Sequence, residues 1–418
     1  MKKIVIIGGG AAGLMAAVAA AKELDGAQYS VTVVEKNSRP ARKVMITGKG
    51  RCNVTNNCDI NSLISNTPKN GKFLYSAFCN FDAADTMHFF KKNGVPLKTE
   101  RGNRVFPVSD KSVDIVDTLV KAVQKNCNII ESTAEAILAP NGYVTAVKLN
   151  DGRILDADSV IVATGGISYP TTGSTGDGYR MAKTLGHTVT ELTPSLVGLE
   201  CHEGFCTRLA GLSLKNVTLS IFESSKKKPL YKEMGEMLFT HTGISGPLTL
   251  SASAHLRYMG KKEYYAEIDL KPALDEVQLD KRLLRDFEES LNRDFANSLD
   301  KLLPKSIIPV IINMSGIDPH TKVNQISREQ RQSLINAIKH FKLNITGFRP
   351  IEEAIITSGG ISVKEINPAT MMSKLIGGLF FAGEIIDVDA YTGGFNLQIA
   401  FSTGVLAGQN AAKYGEEI

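Results

Sequence analysis

The first thirty-five residues set out a pattern of apolar and small positions that changes period twice. Ile4-Val5-Ile6-Ile7 is an unbroken β-branched run, the signature of a parallel strand buried on both faces. Six small residues, Gly8 to Gly13, interrupt it, and Leu14 to Leu24 continues as a helix of small side chains able to lie close on a sheet. A second β-branched run, Val31-Thr32-Val33-Val34, stops at Glu35. Farther along, residues 83–93 and 112–125 carry helical periodicity, and Cys127 to Thr133 reads as a strand. Tyr143 to Leu149 and Arg153 to Asp156 flank Asn150-Asp151-Gly152 as a hairpin. Ser159 to Thr164 is a further buried strand that runs into Gly165-Gly166. From 191 to about 270 short alternating runs such as Val217 to Ile221 predict a β-rich region. Within it Ser245-Gly246-Pro247 opens a helix that Gly260 ends. Residues 274–341 are helical and charged, broken at Pro304 and Pro319, and β-branched runs with glycines return from 351. The stretch after Glu35, KNSRPARKVMITGKGRCNVTNN, has little periodicity and predicts an extended loop crossing a ligand rather than a piece of core.

The opening run has two readings. Two lysines, an uncharged stretch and a terminal Ala19-Ala20-Ala21 also describe a secretory leader. A leader needs neither the second strand nor the acid that ends it. Gly8, Gly10 and Gly13, with Ala11 and Ala12 between them, fit G-x-G-x-x-G, and Glu35 stands where a ribose-binding acid belongs, followed by Lys36. Gly8 makes the tight turn, Gly10 lets the backbone approach a pyrophosphate, and Gly13 lets the helix approach the strand. The helix N-terminus offers free N–H groups to the phosphates. An acid at 35 argues against a 2′-phosphate, which leaves FAD or NAD at this site.

A second nucleotide element lies at 377–408. Leu379-Phe380-Phe381-Ala382 predicts a strand ending at Gly383-Glu384, and Gly393-Gly394 opens a helix through Phe395 and Asn396. In FAD enzymes of the glutathione-reductase type such an acid holds the ribityl chain. The helix N-terminus there faces the flavin edge where negative charge gathers on reduction. An NAD dehydrogenase has no use for this element. Thr164 and Gly165 add a strand-to-turn segment near the dinucleotide, and Ala134, just past the 127–133 strand, is placed in the same group.

Composition narrows the class. The 418 residues are ample for two or three domains, and 43% hydrophobic with 22% charged residues is ordinary for a globular chain. The net charge of +5 is dispersed, so no nucleic-acid partner is expected, and Lys226-Lys227-Lys228 reads as a hairpin tip. Six cysteines lack CxxC spacing, which gives reduced thiols, a cytoplasmic setting and no metal site. No apolar stretch after the first twenty residues is long enough to span a bilayer.

The stretches GKGRCNVTNN, FFKKNGVPLKTERGNRVFPVSDKS, GGISYPTTGSTGDGYRMAKTLGH, LFTHTGISGP and ITSGGISVKEINPATMMSKLIGGLFFAGEIIDVDAYTGGFN together resemble a bacterial family of NAD(P)/FAD-dependent oxidoreductases. That family includes aminoacetone-oxidase-like proteins and a flavoprotein assigned to bile-acid reduction. The resemblance implies a Rossmann-like, glutathione-reductase-type FAD-binding domain at 1–190 and 345–418. It is interrupted by a β-barrel-like domain at 191–270 and a helical subdomain at 271–344. It also implies an Arg-Lys pair beside the cofactor, here Arg42 and Lys43. A loop over the flavin would be carried by Gly50, Arg51, Asn53 and Thr55. Flavin contacts are implied at Glu384, Gly394, Phe395 and Asn396. Ala41 stands where the family has glycine, and Lys49 where a triple glycine is usual. The last third also resembles fumarate reductase flavoproteins, but Ile355 occupies the position of their substrate-binding histidine, which argues against dicarboxylate reduction.

The function expected is hydride transfer through non-covalent FAD to or from a small organic substrate, with NAD(P)H as transient reductant. A single G-x-G-x-x-G leaves no second nucleotide domain for NAD(P)H. An oxygen-using oxidase of a small amine such as aminoacetone, and a non-catalytic flavin sensor or RNA-associated protein, are the alternatives. His241 in a Thr/Gly-rich loop, Arg104 and Tyr169 are the substrate-side candidates. Cys52 is read as a packed thiol. The sequence does not set the oligomeric state.

Overall fold

The computed structural model describes residues 1–415. The chain opens with β1 (Lys2–Ile7), α1 (Ala11–Glu23) and β2 (Tyr29–Glu35). The stretch after Glu35 departs from a plain loop. It contains a short helix, α2 (Arg42–Ile46), and Cys52 and Val54 are wholly buried; the Cys52 N–H donates to the Thr47 carbonyl and the Val54 N–H to the Val105 carbonyl. Next come β3 (Thr55–Asn56), the helices α3 (Ile60–Ser65), α4 (Tyr75–Asn80) and α5 (Ala83–Lys92), then β4 (Leu97–Glu100) and β5 (Arg104–Pro107). Helix α6 (Ser112–Gln124) leads into β6 (Asn128–Glu131). The antiparallel meander of β7 (Ala134–Leu138), β8 (Ala146–Leu149) and β9 (Ile154–Asp156) follows, with the expected turn at 150–152. Then β10 (Ser159–Val162), α7 (Asp177–Thr184) and β11 (Thr193–Ser195) complete this part.

Residues 196–349 form a compact unit of their own. It contains β12 (Leu199–Cys201), α8 (Phe205–Leu209), β13 (Ser213–Glu223), β14 (Tyr231–Thr240), β15 (Gly243–Ser245), α9 (Pro247–Ser253), β16 (Tyr264–Asp269), α10 (Glu276–Glu288), α11 (Ile308–Ser315), α12 (Arg328–Lys339) and β17 (Phe341–Phe348). Six strands close into a barrel in the order β12-β15-β14-β13-β16-β17. The helix opened by Pro247 ends at Ser253, earlier than Gly260, and turns fill the interval. Helices α10 and α12 each begin in a capping box, Asp275 with Gln278 and Ser327 with Gln330. Their apolar faces join the barrel in one core, with Leu279, Leu283, Leu334 and Ile338 buried beside Leu219, Ile268 and Phe341.

Residues 1–195 and 350–418 make the other unit, whose last elements are β18 (Ile356–Ser358), β19 (Leu379–Phe381) and α13 (Phe395–Lys413). Its centre is a five-stranded parallel sheet in the order β19-β10-β1-β2-β6. The continuous apolar runs occupy it, as burial on both faces requires: Ile4, Ile6, Val33, Val160, Ile161 and Phe381 are all within 1% of full burial. Helix α13 lies along α1 at very short range. A Cβ at Gly404 would stand 2.4 Å from the carbonyl oxygen of Ala12, and one at Gly408 would stand 2.3 Å from that of Ala16. Glycine at both places is what lets the two backbones meet. Among the described residues no helix is long and apolar enough to cross a membrane.

Candidate functional site

Because the five strands run parallel, their C-terminal ends share one edge, and the turns that leave them gather there. The chain leaves β1 toward β2 on one side and β10 pairs with β1 on the other. This reversal opens a crevice at the sheet edge, the place where such folds bind ligands. A cleft with about 1360 Å³ of empty space, its open mouth included, occupies this position. Gly8, Gly10, Ala11, Ala12, Glu35, Lys36, Arg42, Lys43, Ala134, Thr164, Gly165, Gly383, Glu384 and Asn396 line it, so residues far apart in sequence are brought to one place.

The glycine turn is built as its spacing predicts. Gly8 has φ +103°, and a Cβ there would meet the Ala163 carbonyl at 2.6 Å. A Cβ at Gly13 would lie 1.9 Å from the Gly8 carbonyl, so α1 can approach the turn only without a side chain. Gly10 differs: a Cβ there would meet nothing within 4 Å, and the space faces the cleft. Glu35 is 8% exposed, and its Oε2 accepts the Gly9 N–H at 2.8 Å. Its Oε1 accepts the Asn37 N–H at 2.8 Å and the Asn37 side-chain amide at 2.6 Å. An ionised carboxylate has room for about four such bonds, so one acceptor position is left. Lys36 pairs with Asp177 at 2.7 Å, and both line the cleft. Burial is the largest influence on Asp177 and works to raise its pKa, but Lys36, Thr175 and Arg180 hold it below the usual carboxylate range.

At the other end of the cleft Lys43 and Glu384 form an ion pair at 2.7 Å, each side chain about one-fifth exposed. Ser168 bridges them, receiving a hydrogen bond from Lys43 at 2.8 Å and donating to Glu384 at 3.1 Å. The Thr357 N–H donates to Glu384 at 2.8 Å, and the Thr357 hydroxyl accepts the N–H groups of Ile167 and Ser168. Nothing in the sequence pattern singles out Ser168 or Thr357, because each acts through a fold contact across more than 180 positions. Asn396 sits in the first turn of α13 and binds the approaching chain. Its Oδ1 accepts the Ala390 N–H at 3.0 Å and its amide donates to the carbonyls of Ala390 and Tyr391. The side chain thereby fixes how the chain enters the helix and leaves the first N–H groups of α13 without intrahelical partners.

The remaining candidates stand elsewhere. Arg51 places its guanidinium on Asp110 and Glu100 at 2.6 and 2.5 Å and over the Phe106 ring at 4.2 Å; hydrogen bonds to Glu100 and Asp110 push its pKa up. Thr55 donates to Gln398 at 2.6 Å, and a Cβ on Gly394 would collide with the Thr55 carbonyl at 2.4 Å, so this loop buttresses the start of α13. Asn53 Oδ1 is buried without a hydrogen-bond partner, and Phe395 is buried. Gly50 has φ +83° and Tyr169 φ +51°, both in turns. Arg104 is exposed on β5 and donates to the Arg101 carbonyl at 3.0 Å. His241 belongs to the barrel unit, exposed in the turn between β14 and β15. Burial pushes the Cys52 thiol up to about 12, so it stays protonated at neutral pH.

A dinucleotide fits what the cleft offers. The vacant space at Gly10 admits a group against bare backbone. Thr164 Oγ1 is buried with no partner and lines the same space, a polar atom awaiting one. Helix N-termini and a carboxylate with spare acceptor capacity complete the donor set for phosphates and a ribose. Among the described residues no cluster of His, Cys, Asp and Glu is arranged to hold a metal ion.

Fold and cleft together define an FAD-dependent oxidoreductase of the Rossmann type. The chain belongs to the family described as the HI0933-like protein Rossmann domain, whose model matches residues 2–410. It is 31% identical to a 3-dehydro-bile acid delta(4,6)-reductase of Clostridium scindens, covering 99% of this chain and 100% of that protein. It is 30% identical to a ribosomal RNA dihydrouridine synthase of Haemophilus influenzae, covering 96% of each. Its fold is shared with an open-conformation flavocytochrome c3 fumarate reductase at a TM-score of 0.52 and 19% identity, covering 100% of this chain and 79% of that one.

Proposed function

We propose that this protein uses FAD to saturate a carbon–carbon double bond conjugated to a carbonyl, with NAD(P)H as the source of electrons. The observation that carries the reading is the cleft at the sheet edge, where open backbone at Gly10, the unpartnered Thr164 hydroxyl and the Glu35 carboxylate suit a dinucleotide. The names of two relatives supply the bond type. A bile-acid delta(4,6)-reductase and a dihydrouridine synthase both remove a double bond, and in a 3-oxo steroid and in uracil that bond is conjugated to a carbonyl. Ile355 lines the cleft wall, an apolar surface suited to a flat ring rather than to a dicarboxylate.

In this reading each end of the cleft has a task. The turn from Gly8 to Gly13 and the N-terminus of α1 hold the pyrophosphate, and Glu35 accepts from a ribose hydroxyl. Lys43, Ser168 and Thr357 hold Glu384 oriented toward the ribityl chain. Asn396 and Gly394 set the N-terminus of α13 so that its N–H groups face developing negative charge. When bound, FAD supplies a hydride. The net change adds that hydride and one proton across the double bond and oxidises one NAD(P)H.

Anaerobic stopped-flow on the reduced holoenzyme tests the reading. Rapid reoxidation by a 4-en-3-one or by a uridine oligonucleotide, with none by the saturated ketone, is the expected result. Reduction of the flavin by aminoacetone, with reoxidation by oxygen alone, would replace this reading with an amine oxidase.

A further inference from the structure

Helix α10 carries two apolar stripes, and the core of its own unit uses only one of them. Leu279, Leu283 and Phe287 are buried in that core. Asp286 is buried beside them, its carboxylate held by Arg282 at 2.8 Å. The second stripe stands in water. Val277 is 64% exposed and Leu284 is 38% exposed. Leu291, in the turn that follows the helix, is 51% exposed. The three are spaced seven residues apart, the interval at which positions recur on one side of a helix after two turns. Lys281 follows Val277 by four residues and Glu288 follows Leu284 by four, so both charges lie along the same side. Both are exposed, and among the described residues neither takes part in an ion pair.

The order along this stripe is apolar, basic, apolar, acidic, apolar. Turned end for end about a two-fold axis between residues 284 and 285, the stripe meets itself. Leu284 lies against Leu284 of the second copy and Val277 against Leu291. Lys281 lies opposite Glu288, and the axis makes that pairing occur twice. At a rise of about 1.5 Å per residue, Lys281 and Glu288 of the second copy stand at the same height, about 5 Å from the axis. A parallel pairing in register would set lysine on lysine and glutamate on glutamate. Two-fold interfaces are built in this way, one patch complementary to itself. Other occupants match less of the stripe. A lipid surface calls for a cationic rim, and Lys281 and Arg285 are offset here by Glu288 and Glu289. A peptide of one charge sign would satisfy Lys281 or Glu288 and repel the other.

We propose that the exposed stripe of α10, from Val277 through Lys281, Leu284 and Glu288 to Leu291, is a docking surface for a second copy of this chain, paired antiparallel across a two-fold axis. Three apolar side chains from each copy make a small interface, so the association is weak and depends on concentration.

Sedimentation velocity on the full-length, FAD-loaded protein, from about 1 µM to about 200 µM, tests the proposal. The wild type should pass from monomer to dimer within that range. Leu284→Glu should raise the dimer Kd at least about ten-fold, because it sets two carboxylates face to face at the axis. Lys281→Glu alone and Glu288→Lys alone should each raise it about ten-fold, since each creates two like-charge contacts. The double exchange, Lys281→Glu with Glu288→Lys, restores opposite charges at both contacts and should return Kd to within about three-fold of wild type. All three positions lie outside the core, and unchanged flavin absorbance and circular dichroism verify the fold of each variant. A wild type that stays monomeric throughout the range would overturn the proposal. So would a dimer indifferent to Leu284→Glu, or a double exchange no tighter than its two single parents.

Discussion

Single residues in this chain are held in backbone conformations their side chains do not favour, and three of them, Ala41, Lys49 and Cys52, fall in the segment that follows Glu35. Ala41 has φ +55° and Lys49 φ +58°. Ala41 and Lys49 stand where the resembled family has glycine, and the left-handed conformation is the physical reason for glycine there. Ala41 is buried and gains packing from its methyl group, whereas Lys49 is exposed and gains none. Lys49→Gly should therefore stabilise the protein by about 0.5–1 kcal/mol, the relief of left-handed strain less the added freedom of the unfolded chain. A urea midpoint that falls would contradict this. The place of Glu35, at the end of β2 and against the glycine turn, was legible from spacing alone, because it depends on strand length and turn geometry that the sequence encodes locally. Glu35→Ala should weaken FAD binding by about 1–3 kcal/mol, since the ribose hydroxyl loses a charged acceptor and the Gly9 N–H loses its partner. Calorimetry on the apo-protein measures it. His187 was not legible at all. It is 4% exposed, its Nε2 lies 2.8 Å from the Ser373 hydroxyl, and burial holds its pKa below the ordinary histidine value. The unfolded chain then takes up the proton first, so stability is full above about pH 6.5 and declines as pH falls below it. His187→Gln should remove that decline from urea unfolding measured across pH 7 to about 5; an identical slope in both proteins would place the titration elsewhere.

At the scale of elements, what the sequence shows well is what depends on local period. The strands of the parallel sheet, α1, α5, α6 and the hairpin at 150–152 all follow from apolar runs, caps and turn residues within a few positions. Boundaries that depend on contacts are less visible. Helix α9 stops at Ser253 although glycine waits until 260, and the loop after Glu35 hides a helical turn and a buried Val54. The polar network of Ser168, Thr357 and Glu384 is illegible for the same reason, as its members meet only once the sheet has formed. The contact of α1 with α13 offers the clearest test at this scale. Gly404→Ala puts a methyl carbon 2.4 Å from the Ala12 carbonyl oxygen, which belongs to the backbone. The helix must shift, which should cost about 1–3 kcal/mol of stability. Flavin affinity should fall with it, because α1 and α13 each present an N-terminus to the cleft. A variant of full stability and full affinity would show that the two helices slide freely.

Over the whole molecule the candidate cofactor site draws on one unit only. Every residue lining the cleft lies in 1–195 or 350–418, and none in 196–349. FAD should therefore stabilise the unfolding transition of the sheet-containing unit by about 2.7 kcal/mol at a hundred times its Kd, leaving the barrel's intrinsic transition in place. Calorimetric scans with and without FAD separate the two. If both transitions moved equally, the units would unfold as one.

The order of the strands has a bearing on synthesis. The sheet's edge strand β19 and the helix α13 are among the last elements to be made, while β1, α1 and the glycine turn are among the first. Residues 196–349 form one uninterrupted stretch and can fold as soon as they emerge, as domains commonly do in order of appearance. The cofactor cleft cannot be finished until residues 379–400 arrive to close it. In the last stage of synthesis, after residue 349, the nascent chain thus carries all the strands of the barrel while the nucleotide fold on either side of it in sequence is still unfinished. Flavin capture should act as a late latch, and stalled chains ending before β19 should retain no FAD when isolated with their ribosomes. Flavin retained by such chains would mean that the first half-site suffices.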